Sequence, residues 1–310
     1  MRPHPSLLAA RWVCVVGALL ATAGCDDDDP TGPDGEEPQG TIVFMSLRSG
    51  DSEGFLLELE GPTETPLVNT EQGDDEFTCK RDGTQLAFAS QRDGDVEVYK
   101  MNLDGSGATR LTNRPGYDGY PQWSPDGSRI AFATDRDGDI EVYVMNADGS
   151  NQTRVTNSAA GDDYPSGWSA DATRLVIESD RDGDYDLYSV LLSSGAATPL
   201  TTNDVQDWYA NISRDGTRIA FDRGRDPPSY FGSNTEVWVM NFDGSGATRV
   251  TNNTFFDGRA VWAPDLSRLV FQSERDGNME LYSMNADGSD QQRLTTNTAF
   301  DRPEAWCAEP

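Results

Sequence analysis

Residues 120–157 read YPQWSPDGSRIAFATDRDGDIEVYVMNADGSNQTRVTN. Two Asp-Gly turns, in Pro-Asp-Gly and Ala-Asp-Gly, and an Arg-Asp-Gly-Asp loop separate short runs rich in apolar and β-branched residues. Asp-Gly between such runs is the strongest short-range signal for a β-hairpin. The stretch therefore predicts four short antiparallel strands, at Tyr120–Ser124, Arg129–Thr134, Ile140–Asn146 and Gln152–Thr156.

Nearly the same stretch recurs along the chain. Successive apolar anchors lie 44 or 45 residues apart, with one interval of 50, at Ile42, Leu86, Ile130, Leu175, Ile219 and Leu269. No window of helical length shows a sustained apolar spacing of three and four. Four antiparallel strands repeated at this period are typical of a β-propeller blade. We therefore predict an all-β fold, a six-bladed β-propeller over residues 41–310.

The two ends of the chain predict how the ring closes. Thr41 begins a second strand that has no tryptophan strand before it, whereas Trp306 lies on a tryptophan strand with no second strand after it. In a complete unit, Trp123 precedes Ile130 by seven residues. We expect the C-terminal strand to pair with the N-terminal blade, because closure removes an open sheet edge.

The units resemble the TolB-type propeller repeat. Its pattern is a W-S-P-D-G turn, an apolar strand, an S-x-R-D-G loop, an aromatic-containing strand and an N-x-D-G-S turn leading to R-L-T, which Trp123 to Thr156 matches along its length. The resemblance covers residues 41–310 and implies the propeller fold. It does not imply one function, because such repeats occur in scaffolds, peptidase accessory domains and polysaccharide lyases. TolB proteins carry a further α/β domain before the propeller, so we expect this chain to differ from an ordinary TolB.

Residues 1–24 have the composition of an export signal. Arg2 and Arg11 precede an apolar run that is too short to span a bilayer as a mature helix. Residues 22–25 read Thr-Ala-Gly-Cys and resemble a bacterial lipoprotein processing site, with Cys25 as the lipid-bearing residue. Thr22 departs from the usual aliphatic residue, so ordinary cleavage after Ala23 is the alternative. Residues 25–40 form an acidic segment that predicts a disordered tether.

Composition narrows the partners. The formal net charge is −29, which argues against nucleic acid and anionic membrane surfaces. We expect a protein or peptide partner in the cell envelope and membrane contact only through the lipid anchor. The location is then periplasmic or on the outer surface, and we expect the protein to be a monomer.

Two cysteines lie within the predicted propeller. Cys79 falls where Trp123 lies in its unit, and Cys307 falls one residue later in the closing strand. These strands belong to neighbouring blades, so we hypothesise a disulfide that locks the ring in an oxidising compartment. Two small buried thiols are the alternative, because the offset of one residue can point the side chains apart.

Each unit has an arginine in the loop after its second strand. An acid follows on the third strand, and an aromatic residue lies two positions beyond the acid, as in Arg136, Glu141 and Tyr143. Buried acids need partners. We therefore expect each arginine to fold back onto a nearby acid, within or between blades.

The same loops permit a second interpretation, because closely spaced carboxylates are hard oxygen ligands of the kind that calcium prefers. The candidate metal ligands are Asp135, Asp137, Asp139, Asp180, Asp182 and Asp184. These loops are shorter than an EF-hand and lack its distal glutamate, and Asp-Gly turns need the same residues for their geometry. No cofactor is required by the sequence, and calcium is the one open candidate.

Propeller geometry places the loops between second and third strands on the same side as the segments that join blades. These segments mix acids and aromatics, a composition suited to binding. The fifth unit adds an insertion that contains Pro227–Gly232 on this side. The candidate partner-binding residues are Tyr117, Tyr120, Asp162, Asp163, Tyr164, Asp207, Trp208, Tyr209, Tyr230, Phe231, Phe255, Phe256 and Asp257. The alternative is that the aromatics plug the channel and the acids are solvated.

Catalysis is not expected. The only histidine is His4, within the export signal, which excludes serine–histidine triads and histidine-ligated zinc from residues 25–310. The sequence thus favours a non-catalytic envelope lipoprotein that binds a protein or peptide. The alternatives are a calcium-dependent carbohydrate-binding propeller and a carboxylate-based glycoside hydrolase.

Overall fold

A computed structural model describes residues 40–59, 63–67, 73–158, 161–224 and 235–309. The predictions for the export signal, for Cys25, for nearly all of the tether and for the insertion at Pro227–Gly232 lie outside these ranges. Within the described ranges, no helix has the length and apolar character that crossing a membrane requires.

The described residues form six four-stranded antiparallel sheets, which confirms the six-bladed β-propeller. The first blade contains β24 (Asp301–Cys307), β1 (Thr41–Ser46), β2 (Glu53–Glu58) and β3 (Thr63–Pro66). The second contains β4 (Asp74–Cys79), β5 (Gln85–Ser90), β6 (Glu97–Asn102) and β7 (Thr109–Arg110). The third contains β8 (Asp118–Trp123), β9 (Arg129–Thr134), β10 (Glu141–Asn146) and β11 (Thr153–Arg154).

The other three blades repeat this order. The fourth contains β12 (Asp163–Trp168), β13 (Arg174–Ser179), β14 (Asp186–Leu191) and β15 (Ala196–Pro199). The fifth contains β16 (Gln206–Ile212), β17 (Arg218–Gly224), β18 (Glu236–Asn241) and β19 (Thr248–Arg249). The sixth contains β20 (Asp257–Trp262), β21 (Arg268–Ser273), β22 (Glu280–Asn285) and β23 (Gln292–Arg293).

Ring closure follows the sequence prediction. The C-terminal strand β24 pairs antiparallel with β1, and the register sets Ile42 opposite Trp306 and Thr41 opposite Cys307. Each terminus therefore supplies part of one blade, which leaves no inner strand of this blade unpaired.

The core lies between neighbouring blades. Val98 of the second blade, for example, belongs to the same buried cluster as Phe132 and Tyr143 of the third. Five phenylalanines at the equivalent position of the second strand are fully buried: Phe44, Phe88, Phe132, Phe221 and Phe271. Burying each such side chain contributes roughly 1.5–3 kcal/mol. The repeated apolar residues thus hold the ring together and fix the six innermost strands around the axis.

Candidate functional site

The innermost strands β4, β8, β12, β16, β20 and β24 surround a cavity of about 260 Å³ on the propeller axis. The cavity is lined at one end by residues of the turns between first and second strands, including Arg81, Pro125, Arg214 and Pro264. We call this end the turn face. The other end, with the loops between second and third strands and the segments that join blades, is the loop face. The cavity therefore opens on the turn face, opposite the side that the sequence favoured.

Every innermost strand is irregular at the same place. Register shifts interrupt the pairing of all six first strands with their second strands. Four residues there have positive φ: Glu76 (59°), Tyr120 (49°), Tyr209 (48°) and Arg259 (51°). All four line the cavity. Bulges re-aim side chains, and left-handed backbone at non-glycine residues costs of order 1–3 kcal/mol.

Prolines occupy the same position in the two remaining blades. Pro165 and Pro303 line the cavity but have negative φ, which their rings impose. The six residues at this position, Glu76, Tyr120, Pro165, Tyr209, Arg259 and Pro303, differ strongly in charge and size. The cavity wall is thus the part of the ring where the blades are least alike.

The bulges release backbone N–H groups, and carboxylates of the preceding blade accept them; Asp222 is fully buried, and Glu76 and Glu178 are half-buried. The N–H of Tyr120 donates to Glu76 Oε2 (2.6 Å). The N–H of Arg259 donates to both oxygens of Asp222 (2.8 and 2.9 Å), and the N–H of Ala210 donates to Glu178 Oε1 (3.2 Å). Unpaired buried N–H groups are costly, so these acids stabilise the bulges.

The sixth blade has a glutamine in place of the carboxylate, and the residue that follows the missing bond explains why. Its equivalent residue to Glu178 and Asp222 is Gln272, and the next blade has Pro303, which offers no N–H. Gln272 is fully buried, and neither of its side-chain polar atoms has a hydrogen-bond partner among the described residues. Burial of an unsatisfied amide lowers the free energy of unfolding.

Burial perturbs the acids that accept the bulge N–H groups. It raises the pKa of Glu76 to about 7, and the neighbouring Asp75 adds to the shift. It also raises the pKa of Glu178 and raises that of Asp222 well above its usual range. The cause in each case is desolvation of the charged carboxylate.

Two arginines balance part of this charge. Arg302 donates to Glu304 Oε1 (2.5 Å) and also pairs with Asp75. The guanidinium of Arg259 lies over the ring of Tyr209, 3.6 Å from its centroid. This is a cation–π contact within the cavity wall.

One ion pair is repeated in all six blades near the loop face. In five blades an arginine of the loop between the second and third strands pairs with a buried aspartate at the start of the first strand of its own blade, and in the fifth blade Arg223, near the end of β17, does the same. The pairs are Arg48–Asp301, Arg92–Asp74, Arg136–Asp118, Arg181–Asp163, Arg223–Asp207 and Arg275–Asp257. Each guanidinium also stacks on the third-strand aromatic, as Arg136 does on Tyr143 at 4.6 Å.

We call this ion pair the arginine clasp. The prediction that each arginine pairs with a nearby acid is confirmed within blades, although the acid lies on the first strand rather than the third. Four of the third-strand acids pair instead with an arginine of the fourth strand, as Glu141 does with Arg154 (2.6 Å). The clasp corrects the assignment of Asp163, Asp207 and Asp257 to partner binding. All three are fully buried and ion-paired.

Two of the predicted aromatic contacts are also core residues. Trp208 is 3% exposed and Phe256 is 1% exposed, so neither presents a surface to a partner. The alternating pattern of the joining segments did not reveal their burial. Phe255 is 41% exposed, whereas Tyr230 and Phe231 lie outside the described residues.

Three of the remaining candidates, Tyr117, Tyr120 and Tyr164, form a cluster of rings that we call the tyrosine plug. The rings of Tyr120 and Tyr164 are 4.9 Å apart, and Tyr117 lies 6.5 Å from Tyr120. Tyr117 Oη donates to Glu76 Oε1 (2.9 Å). Asp162 accepts the N–H of Ile140 (3.0 Å). Tyr209, by contrast, lies in the cavity wall.

Four of the six candidate metal ligands are engaged by protein groups. Asp135 accepts the N–H of Tyr117 (2.9 Å), and Asp180 accepts the N–H of Asp162 (2.7 Å). The hydroxyls of Tyr143 and Tyr188 donate to Asp137 and Asp182. The other two candidates are Asp139, which is exposed, and Asp184, which is half-buried. Across the described ranges, no three His, Cys, Asp or Glu side chains are grouped so as to hold a metal ion.

Cys79 and Cys307 form a disulfide in the structure, with their Cα atoms 5.7 Å apart. The bond joins β4 of the second blade to β24 of the first and spans 228 residues of sequence. It therefore links the two strands at which the ring closes.

Sequence reasoning did not identify Glu178, Asp222, Arg259 or Gln272. A signal was present in the repeats. At the fifth position of the second strand, three blades have Met45, Ala89 and Ala133, whereas the next three have Glu178, Asp222 and Gln272. A polar residue at a buried repeat position indicates a special partner, but the partner lies in the neighbouring blade.

Comparisons with known proteins agree with this architecture. Residues 110–234 match the sequence profile of a family described as the TolB beta propeller domain. No curated protein matches the chain in sequence.

Solved structures share the fold at low sequence identity. TolB from Acinetobacter baumannii superposes with a TM-score of 0.75 at 20% identity, covering 87% of this chain and 67% of that chain. A putative TolB from Agrobacterium tumefaciens gives 0.66 at 19%, covering 86% and 99%. An oligogalacturonate lyase in complex with manganese gives 0.53 at 19%, covering 86% and 74%. By its matching repeat and its six closed blades, this chain is similar to the TolB beta propeller domain family and shares its fold.

Proposed function

We propose that this protein is a non-catalytic binding scaffold that holds a segment of a partner protein in its axial cavity. The observation that carries the proposal is the distribution of repeated and variable residues. Repeated residues build the core and the arginine clasps, whereas the residues at which blades differ line a cavity open to solvent. Rigid scaffolds that present variable residues around an opening are suited to recognition.

The binding surface proposed here lies on the turn face, whereas the sequence favoured the loop face. Most acids and aromatics predicted to bind a partner instead form clasps, core and a tyrosine plug. Of the described aromatic candidates, Phe255 is the one with large exposure. Phe255 and the predicted insertion residues Tyr230 and Phe231, which lie outside the described residues, remain a proposed secondary contact region.

A binding role accounts for the carboxylates at and behind the cavity wall better than catalysis does. Glu76, Glu178 and Asp222 each accept a backbone N–H from the next blade. A general acid or base needs an oxygen directed at a substrate proton. These carboxylate oxygens accept backbone N–H groups and so stabilise the bulges that shape the cavity wall. We propose no reaction for them.

We further propose that the protein is exported and held at the cell envelope through lipid on Cys25. The disulfide between Cys79 and Cys307 supports this location, because such bonds persist in oxidising compartments. Cys25→Ala tests the anchor. Loss of radiolabelled palmitate incorporation and release from membranes are expected, and unchanged incorporation would contradict it.

Blocking the cavity tests the binding role. Gln122 lines the cavity, and Gln122→Trp should narrow it, whereas Thr109→Trp places the same ring on an exposed outer strand. We expect affinity capture from envelope extract to recover a partner with wild type and with Thr109→Trp but not with Gln122→Trp. A Tyr230→Ala/Phe231→Ala variant tests the loop face in parallel. Equal recovery by Gln122→Trp and wild type, with both folded, would refute the cavity as the site.

A further inference from the structure

Arg81 and Arg214 stand opposite each other at the mouth of the cavity. Arg81 belongs to the turn between β4 and β5 of the second blade, and Arg214 to the turn between β16 and β17 of the fifth. These blades face each other across a ring of six. Arg214 Nη2 donates to the carbonyl oxygen of Arg81 (3.0 Å), so the contact spans the opening.

Both arginines are exposed, and neither has a carboxylate within ion-pairing distance among the residues that the structure describes. The adjacent aspartates are occupied elsewhere. Asp82 pairs with Lys80 (2.7 Å), and Asp215 accepts from Ser213 and Thr217. The chain has 53 acidic and 24 basic residues. An exposed arginine without a nearby carboxylate in such a chain is available to pair with an acid of another molecule.

The aspartates of the same turns are absent from the cavity lining, although Asp82 and Asp126 line a neighbouring depression together with Arg81 and Arg214. Arg81, Pro125, Arg214 and Pro264 occupy the same turn position and line the cavity. The aspartate that follows each of them does not line it. Arg81 and Arg214 are therefore the charged groups at the inner edge of the mouth, with Lys80 beside them and Arg259 deeper in the wall.

Three carboxylates also line the cavity, and each is already engaged. Glu76 and Glu178 accept backbone N–H groups, and Glu304 pairs with Arg302. An entering group thus first meets two guanidinium groups that have no carboxylate partner among the described residues, of which Arg214 donates to the Arg81 carbonyl. Guanidinium binds carboxylate through paired hydrogen bonds, which makes it selective for this chemistry.

We propose that the cavity takes a carboxylate-bearing end of an extended protein segment, with Arg81 and Arg214 as its ion-pair partners. The inference rests on the proposed binding role and names the chemistry of the partner. Entry breaks the hydrogen bond from Arg214 to the Arg81 carbonyl and replaces it with charge-assisted bonds. The net charge of −29 opposes an acidic ligand at long range, but at physiological salt this field is screened beyond about 8 Å.

The test uses fluorescein-labelled decapeptides of one Gly/Ser sequence that differ at the C-terminal pair of residues. The pair is Glu-Glu, Gln-Gln or Lys-Lys with an amidated end, or Gln-Gln with a free carboxylate. Anisotropy at physiological salt measures affinity for wild type, Arg81→Glu/Arg214→Glu, Arg114→Glu and Gln122→Trp. Arg114 is the matched control, since it is exposed and follows β7 toward the loop face.

We expect the Glu-Glu peptide to bind wild type about tenfold more tightly than the amidated Gln-Gln peptide. The double charge reversal should abolish this preference, whereas Arg114→Glu should change affinity less than about twofold. Comparison of the two Gln-Gln peptides shows whether a terminal carboxylate serves as well as a side chain. Melting curves confirm that the variants fold.

Several outcomes would overturn the inference. Equal affinity for the Glu-Glu and Gln-Gln peptides refutes carboxylate recognition, as does an effect of the double reversal no larger than that of Arg114→Glu. If all peptides bind alike and Gln122→Trp abolishes binding, the cavity remains the site and only the charge preference is wrong. If no peptide binds at millimolar concentration, the inference is refuted, and envelope capture with Gln122→Trp decides the binding role separately.

Discussion

The clasp between Asp257 and Arg275 can be tested directly. The sequence predicted that Asp257 contacts a partner, whereas in the structure it stabilises its own blade. Asp257 is fully buried. Its carboxylate accepts from Arg275 Nη2 (2.9 and 3.0 Å), Ser273 Oγ (2.5 Å) and Asn253 Nδ2 (2.5 Å). Asp257→Ala removes all of these bonds and leaves the guanidinium without its charge partner.

The structure sets the size of the effect. Breaking a buried ion pair by removing one partner costs about 3–5 kcal/mol. Arg275 is 21% exposed in its side chain and keeps bonds to Ser273 Oγ (2.8 Å) and Gln291 Oε1 (2.6 Å). Water and these bonds offset part of the loss, so we expect the lower end, about 3 kcal/mol of unfolding free energy.

Urea unfolding followed by tryptophan fluorescence measures the change, with the disulfide kept oxidised. Asp287→Ala is the matched control, because Asp287 lies in the same blade and accepts from Ser289 N (2.9 Å) and Oγ (2.6 Å) but is exposed. Its loss should be much smaller, since water replaces those bonds. A double variant with Arg275→Ala should lose less than the sum of the two single variants, by about 1–3 kcal/mol.

Two results would refute this reasoning. If Asp257→Ala unfolds within about 0.5 kcal/mol of wild type, the buried pair does not stabilise the blade. If the two single losses are additive, Asp257 and Arg275 do not act as a pair. In either case the aspartates that begin the first strands would again be candidates for binding.

Three further predictions concern the cavity and its closure. The pKa of Glu76 is about 7 in the folded protein and 4.5 in the unfolded chain. Wild type should therefore lose unfolding free energy relative to Glu76→Gln as pH rises from about 4.5 to 8, by up to about 3 kcal/mol. Parallel pH profiles of unfolding for the two proteins would contradict this. Cys79→Ser, or reduction of wild type, should lower the unfolding free energy by about 5 kcal/mol, because the disulfide closes 228 residues; identical urea midpoints with and without reductant would exclude that role. Gln272→Met should stabilise by about 1–2 kcal/mol, since it removes a buried amide without partners; thermal melting measures the gain, and a loss would mean that Gln272 has a favourable partner.

The sequence predicted the blade well because its signals are local. Asp-Gly turns and period-two runs specify hairpins within about ten residues, and the strand Arg129–Thr134 is found with the predicted bounds. The first strand begins at Asp118 rather than Tyr120, since its opening residues have no apolar pattern. The half-units at the two termini predicted the pairing of Ile42 with Trp306, because only one partner strand was missing.

The candidate site was predicted less well, because its contacts join residues that are distant in sequence, within a blade or between blades. The sequence indicated that each loop arginine needs an acid, but it did not select Asp257 for Arg275, which lies eighteen residues away across the blade. It also did not predict that Tyr120 and Arg259 adopt positive φ and line the cavity. Such bulges depend on the register between strands rather than on residue type.

By itself, then, the sequence determined the repeat, the strand count and the closed ring, since turn chemistry and alternation act between near neighbours. Only the tertiary structure decided what the acids and aromatics do. Neighbouring blades bury Asp163 and Trp208 and leave Arg81 and Arg214 exposed at the cavity mouth. Burial is a property of packed blades, and the free energy of a charge depends on burial more than on the sequence around it.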